Sequence, residues 1–159
     1  MSKKQNLYLG KAGQFFVMSE LLFRGWNVAT PEVDVGDDIF VVKDADGQLI
    51  RVQVKTATAA MLKKGGLRAQ FSLNLAQLQS NITPMLVYAL VFRLGNKWEG
   101  VVLIKRDILL EEHQNFQLGN ISNGLLNIYF SFKNSKLTCS KRDLTQYLNN
   151  FADFDVIQH

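Results

Sequence analysis

The segment from Pro31 to Thr56, PEVDVGDDIFVVKDADGQLIRVQVKT, constrains the fold more than any other stretch of the chain. Two runs of alternating apolar residues flank Asp46-Gly47, the dipeptide best suited to a tight type I′ turn. A two-residue loop pairs Ala45 with Gln48 and sets Lys55 directly opposite Asp38. Side chains alternate with period two, so Gln53 shares their face and lies diagonal to Asp38, about 7–8 Å away. Ile39, Val41, Ile50, Val52 and Val54 fill the other face, which predicts an apolar core side. An acid, an amide and a lysine therefore converge at one end of a hairpin.

The rest of the chain supplies partners for that hairpin. Residues 9–24 read as a helix, with Ala12, Phe15, Phe16, Ser19, Leu22 and Phe23 at helical spacing and Gly25 as its stop. Strands are predicted at 26–29, near 38–44 and 48–56, and at 69–73. Asn74 caps a short helix, LAQLQS. Two strongly apolar strands, PMLVYALVFRL and WEGVVLIKR, turn at Gly95-Asn96, and a short helical turn, DILLEE, follows. Another strand is read at 127–133 and a terminal helix at 143–151. The pattern predicts an α/β fold, a mixed central sheet flanked by helices.

At 159 residues the chain suits one domain, able to bury roughly two-thirds of its unfolded surface. A single cysteine, Cys139, precludes an internal disulfide framework and fits a reducing compartment. No run approaches a membrane span, and MSKKQNLYLGKAG has no signal-peptide core, so the expected location is cytoplasmic. The net charge of +4 permits nucleic-acid binding without diagnosing it.

Glu20 is the plausible supplier of a further acid. Its helical neighbours Phe16, Val17 and Phe23 are apolar, and a carboxylate beside a buried face needs compensation. A metal ion shared with Asp38 would provide it; an i,i+4 pair with Arg24 is the plain alternative. Asp34 and Asp37 read as loop residues, able to touch a second metal or a phosphate. Mg²⁺ prefers oxygen ligands and keeps several waters. Glu20, Asp38, the Gln53 amide oxygen and the Val54 carbonyl make such a set, with Mn²⁺ as substitute. Lys55 would orient a water and stabilise charge on a phosphorane-like transition state.

This arrangement resembles the PD-(D/E)xK nuclease superfamily, on Glu20 in GQFFVMSELLFRGW, Asp38 in VDVGDDIFVV and Gln53-Val54-Lys55 in RVQVKT. The stretch RGWNVATPEVDVGDDIFVV is similar to small prokaryotic and phage-type members, intron-encoded homing endonucleases and Holliday-junction-resolvase relatives among them. The resemblance covers residues 9–58; residues 85–159 are expected to complete the sheet, or an oligomer or DNA interface. It implies a restriction-endonuclease-like core, divalent-metal dependence, DNA cleavage, and Glu20, Asp38, Gln53 and Lys55 as the catalytic set. Two departures stand out. Asp37 replaces the proline before the motif aspartate, and Gln53 replaces the usual acid, removing one negative charge.

Lys63, Lys64 and Arg68 form a basic loop around Gly65-Gly66, suited to backbone phosphates. Lys3 and Lys4 suggest an N-terminal arm; Lys133, Lys136, Lys141 and Arg142 suggest a second patch. One cleavage centre per chain implies a homodimer or higher oligomer for cutting two strands. The alternative to an endonuclease is a nuclease-fold DNA-binding or assembly module without turnover. A coincidental motif would instead leave Glu20 apart from Asp38.

Overall fold

The computed structural model describes residues 3–33, 36–81, 83–154 and 157. It opens with α1 (Lys3–Phe23), then β1 (Asn27–Ala29), β2 (Ile39–Lys43) and β3 (Gln48–Thr58). Next come β4 (Ala60–Met61), β5 (Leu67–Asn74), α2 (Leu75–Gln79), β6 (Leu86–Leu94), β7 (Lys97–Lys105) and α3 (Arg106–Phe116). The chain closes with β8 (Asn120–Ser122), β9 (Leu125–Lys133), β10 (Lys136–Cys139), β11 (Arg142–Asp143) and a 3-10 turn at Thr145–Tyr147.

The central sheet has strand order β1-β2-β3-β6-β7. It is mixed: β3 and β6 run parallel, and its other neighbours are antiparallel. A parallel pair needs a long crossover. Here the crossover carries β4, β5 and α2, and β5 becomes part of a second sheet ordered β11-β10-β9-β5-β4. β6 is buried on both sides, which accounts for its unbroken apolar run. Val87, Ala89 and Val91 meet α1 residues Val17 and Leu21 in one core. Leu86, Tyr88, Leu90 and Phe92 join the other, with Phe71, Leu73, Ile128 and Phe130 of the second sheet and Leu78 and Leu109 of α2 and α3. The expected mixed sheet with helices beside it is present; the second, antiparallel sheet is an addition to it.

The first helix ends as its sequence predicts. Gly25 takes a positive φ of 84°, its N–H donating to Leu22 O at 2.9 Å, while Trp26 N–H reaches Leu21 O at 3.2 Å. That is a Schellman stop. The buried face is nevertheless rotated from the predicted one. Leu9, Gly13, Gln14, Val17 and Leu21 are buried, whereas Phe15, Leu22 and Phe23 are exposed. Gly13 explains the phase: a Cβ there would lie 1.9 Å from Thr56 Oγ1 of β3, so the helix rests backbone-close on the sheet at this point.

Three further expectations are corrected. The hairpin turns through four residues, since Lys43 pairs with Gln48. Gly47 N–H donates to Lys43 O at 2.8 Å and Asp46 Oδ1 accepts from Gln48 N–H at 2.9 Å, interactions that a two-residue turn leaves no room for.

The terminal helix expected at 143–151 gives way to the 3-10 turn and irregular chain. Asp143 Oδ1 accepts from both Thr145 N–H (2.9 Å) and Thr145 Oγ1 (2.6 Å), a local arrangement that competes with helix. Asn149 then clamps the segment to β7, its N–H donating to Val101 O at 2.7 Å and its Oδ1 accepting from Val101 N–H at 2.9 Å. Finally, Lys3 and Lys4 belong to α1 and form no separate arm. Among the described residues no helix is long and apolar enough to cross a membrane.

Candidate active site

The site lies just before the start of β2, where β3 runs on past β2 and keeps β6 as its neighbour. The observed register differs from the expected one by two residues. A one-residue slip would have moved every side chain to the other face, but a two-residue slip preserves the faces. Ile39, Val41, Ile50, Val52 and Val54 are accordingly buried against α1. Asp38 now meets Gln53 directly, and Lys55 becomes the diagonal member.

Asp38 finishes the ladder with its side chain. Its N–H donates to Val52 O at 2.9 Å, and its Oδ2 accepts from Val54 N–H at 2.7 Å and from Gln53 Nε2. Gln53 is buried, and its Nε2 also lies 3.4 Å from Val54 O. Gln77 of α2 donates to Gln53 Oε1 at 3.4 Å and to Gly36 O, while Tyr88 Oη donates to Gln77 Oε1 at 3.1 Å. Asn74 places Gln77: its Oδ1 caps α2 by accepting Gln77 N–H at 3.1 Å, as the sequence predicts. Burial pushes the Tyr88 hydroxyl up to about 12. Lys55 follows Gln53 on the same face, half-buried, about 7 Å farther along the strand.

Glu20 is not brought to this cluster. It forms the i,i+4 pair with Arg24, at 2.9 Å, and Arg24 in turn stacks over the Phe151 ring at 3.8 Å. Among the described residues no three His, Cys, Asp or Glu gather to hold a metal ion. The residue of α1 that does reach Asp38 is Gln14, whose Nε2 donates to Asp38 O at 2.6 Å and whose Oε1 accepts from Lys11 Nζ at 2.8 Å. Gln14 stands six residues before Glu20, about 9 Å along the helix. Its signal is a polar residue beside Gly13 on the Leu9-Gly13-Val17-Leu21 row, legible only with the helix phase in hand.

Asp37 and Asp38, adjacent in sequence, have opposite surroundings. Asp37 is buried, and its Oδ2 accepts from Arg51 Nε at 2.7 Å and Nη2 at 2.5 Å. Asp37 Oδ1 is a buried atom without a hydrogen-bond partner among the described residues. The expected loop role for Asp37 is therefore replaced by a buried ion pair that anchors the loop. Asp34 lies outside the described residues. An open cleft of ≈ 250 Å³ beside Asp38 is lined by Lys11, Gln14, Thr30, Pro31, Glu32, Asp37 and Asp38.

The basic loop residues Lys63 and Lys64 are exposed in the turn before β5. Arg68, exposed on β5, lies over the Tyr129 ring at 4.7 Å. Lys133 Nζ donates to Lys64 O at 2.8 Å, so the two basic patches expected from sequence adjoin. Arg142 leaves that surface to pair with buried Glu112 at 2.9 Å.

No family model and no curated protein matches the chain. Among solved structures it is similar to a bacterial homing endonuclease, I-Ssp6803I, at 19% identity. The match covers 70% of this chain and 74% of that one, with a TM-score of 0.44.

Proposed function

We propose that the chain is a DNA endonuclease whose centre is Asp38, Gln53 and Lys55. The reading rests on one observation: the three residues share a face of the hairpin, with Gln53 bonded to Asp38, and Asp38 also lines a cleft with Lys11. The donors are hard oxygens, which suit Mg²⁺ or Mn²⁺. Asp38 would hold the ion with the Val54 carbonyl, and Gln53, whose Nε2 now faces Asp38, would have to turn its amide oxygen inward to join them. A single motif carboxylate is a lean set, so waters and the substrate phosphate complete the shell. When bound, such an ion polarises the phosphate and lowers the pKa of its water.

The chain's own groups do the rest. Lys55 stabilises negative charge developing on the phosphate. Gln14 holds the backbone of Asp38, and the Arg51–Asp37 pair anchors the loop that carries it. One proposed cleavage centre per chain makes a homodimer the simplest assembly for cutting both strands.

A second reading, a DNA-binding module without turnover, is favoured by Gln14. Helix α1 brings an amide to the centre, where a carboxylate would hold metal more tightly. Plasmid cleavage in Mg²⁺ and Mn²⁺ separates the two. The endonuclease reading expects nicking that disappears in Asp38→Asn and Lys55→Ala. Salt-sensitive DNA binding with no nicking and no calorimetric metal uptake would establish the module instead.

A further inference from the structure

We propose that the outer face of the second sheet is the surface on which a DNA duplex lies; this rests on the DNA-acting function above. No acidic residue occurs between Asp46 and Glu99, or between Glu112 and Asp143. Strands β5, β9 and β10 fall inside those two intervals, and the fold joins them edge to edge. The outward side chains pair in rows: Arg68 with Ser131, Gln70 with Tyr129, and Ser72 with Asn127. The acid of the adjoining strand, Asp143 on β11 opposite Thr138, has its Oδ1 engaged by Thr145 and its charge offset in part by Lys136.

Repulsion is built into this distribution. Lys133 and Lys136 are directly opposite each other across β9 and β10. Like charges so placed are destabilising, and a polyanion would relieve them. Lys63 and Lys64 adjoin through the Lys133–Lys64 bond, giving a cationic margin beside a row of hydrogen-bonding groups. Arg, Gln and Asn are the residue types that read base edges, and a two-stranded ribbon fits the major groove. A single strand would want open aromatic platforms. The one aromatic ring facing outward on β5 and β9, Tyr129, is covered by Arg68. A protein partner would want apolar anchors, and Leu125 at the far end is the only outward aliphatic on those two strands.

The test is fluorescence anisotropy of the full chain with a labelled duplex across a salt series. Lys136→Ala should weaken binding about fivefold at physiological salt and lower the slope of log K against log salt by about one. Lys133→Ala/Lys136→Ala should lower the slope by about two. Lys136→Ala removes a repulsion from Lys133 and an attraction to Asp143, so it should melt close to wild type. If it melts lower, Lys63→Ala/Lys64→Ala on the exposed turn serves in its place, with a slope loss of about two. Wild-type binding with unchanged slopes in the variants would overturn the assigned face and leave the DNA-acting reading intact. Wild type that binds no duplex at low salt would overturn both. Preference for single-stranded RNA over duplex in competition would overturn the assigned partner.

Discussion

The cleft between α1 and the start of β2 and the outer face of the second sheet treat charge in opposite ways. The cleft gathers Glu32, Asp37 and Asp38 with Lys11, and places amides against Asp38. The sheet face excludes acids from three adjoining strands. Opposite charges near each other suit local chemistry, because each fixes the position of the next. A face of one sign suits long-range attraction of a polyanion. On the proposed reading, the difference separates a place to act on a phosphate from a place to hold many of them.

The largest expected effect tests the anchoring of the cleft. Arg51→Ala leaves the buried Asp37 carboxyl without its ion-pair partner, and should cost about 3–5 kcal/mol in denaturant unfolding. A loss below about 1 kcal/mol would show that the pair does not anchor the loop. Next, Lys55→Ala should reduce cleavage about 10²–10³-fold in plasmid assays, the scale of losing one charge-stabilising group. The same variant should leave most duplex affinity in place, if binding belongs to the sheet.

A pH series sharpens the comparison further. Tyr88 stays protonated in the folded chain up to about 12, whereas it ionises near 10 when unfolded. Stability should therefore fall between pH 10 and about 12, by about 2–3 kcal/mol at most. Tyr88→Phe should flatten that part of the profile in urea titrations. Gln14→Glu adds a carboxylate at the helix contact and should tighten Mn²⁺ binding about tenfold, or about 1.4 kcal/mol, by calorimetry. Unchanged uptake would remove Gln14 from the centre. The smallest effect is Asn74→Ala, which should cost about 1 kcal/mol as a lost cap in thermal melts.

Much of the hairpin was legible because strand alternation is a local rule. Its register slipped by two residues, yet the faces of Asp38, Gln53 and Lys55 were unaffected. The helix was legible as a helix, but its phase was not. Phe15, Leu22 and Phe23 are apolar yet exposed, and the contact between Gly13 and Thr56 decides which side faces inward. That single rotation separates Glu20, paired with Arg24, from Gln14, which reaches Asp38.

The sequence alone determined the α1 stop at Gly25, the Asn74 cap, the apolar strands and the pairing of faces in the hairpin. Each depends on residues within a few positions of one another, where backbone geometry leaves few choices. Only the tertiary structure decided which helix residue meets Asp38, that Asp37 is buried on Arg51, and that two distant basic segments share one sheet. Those outcomes depend on packing between elements far apart in the chain, and on close approaches that no local periodicity encodes.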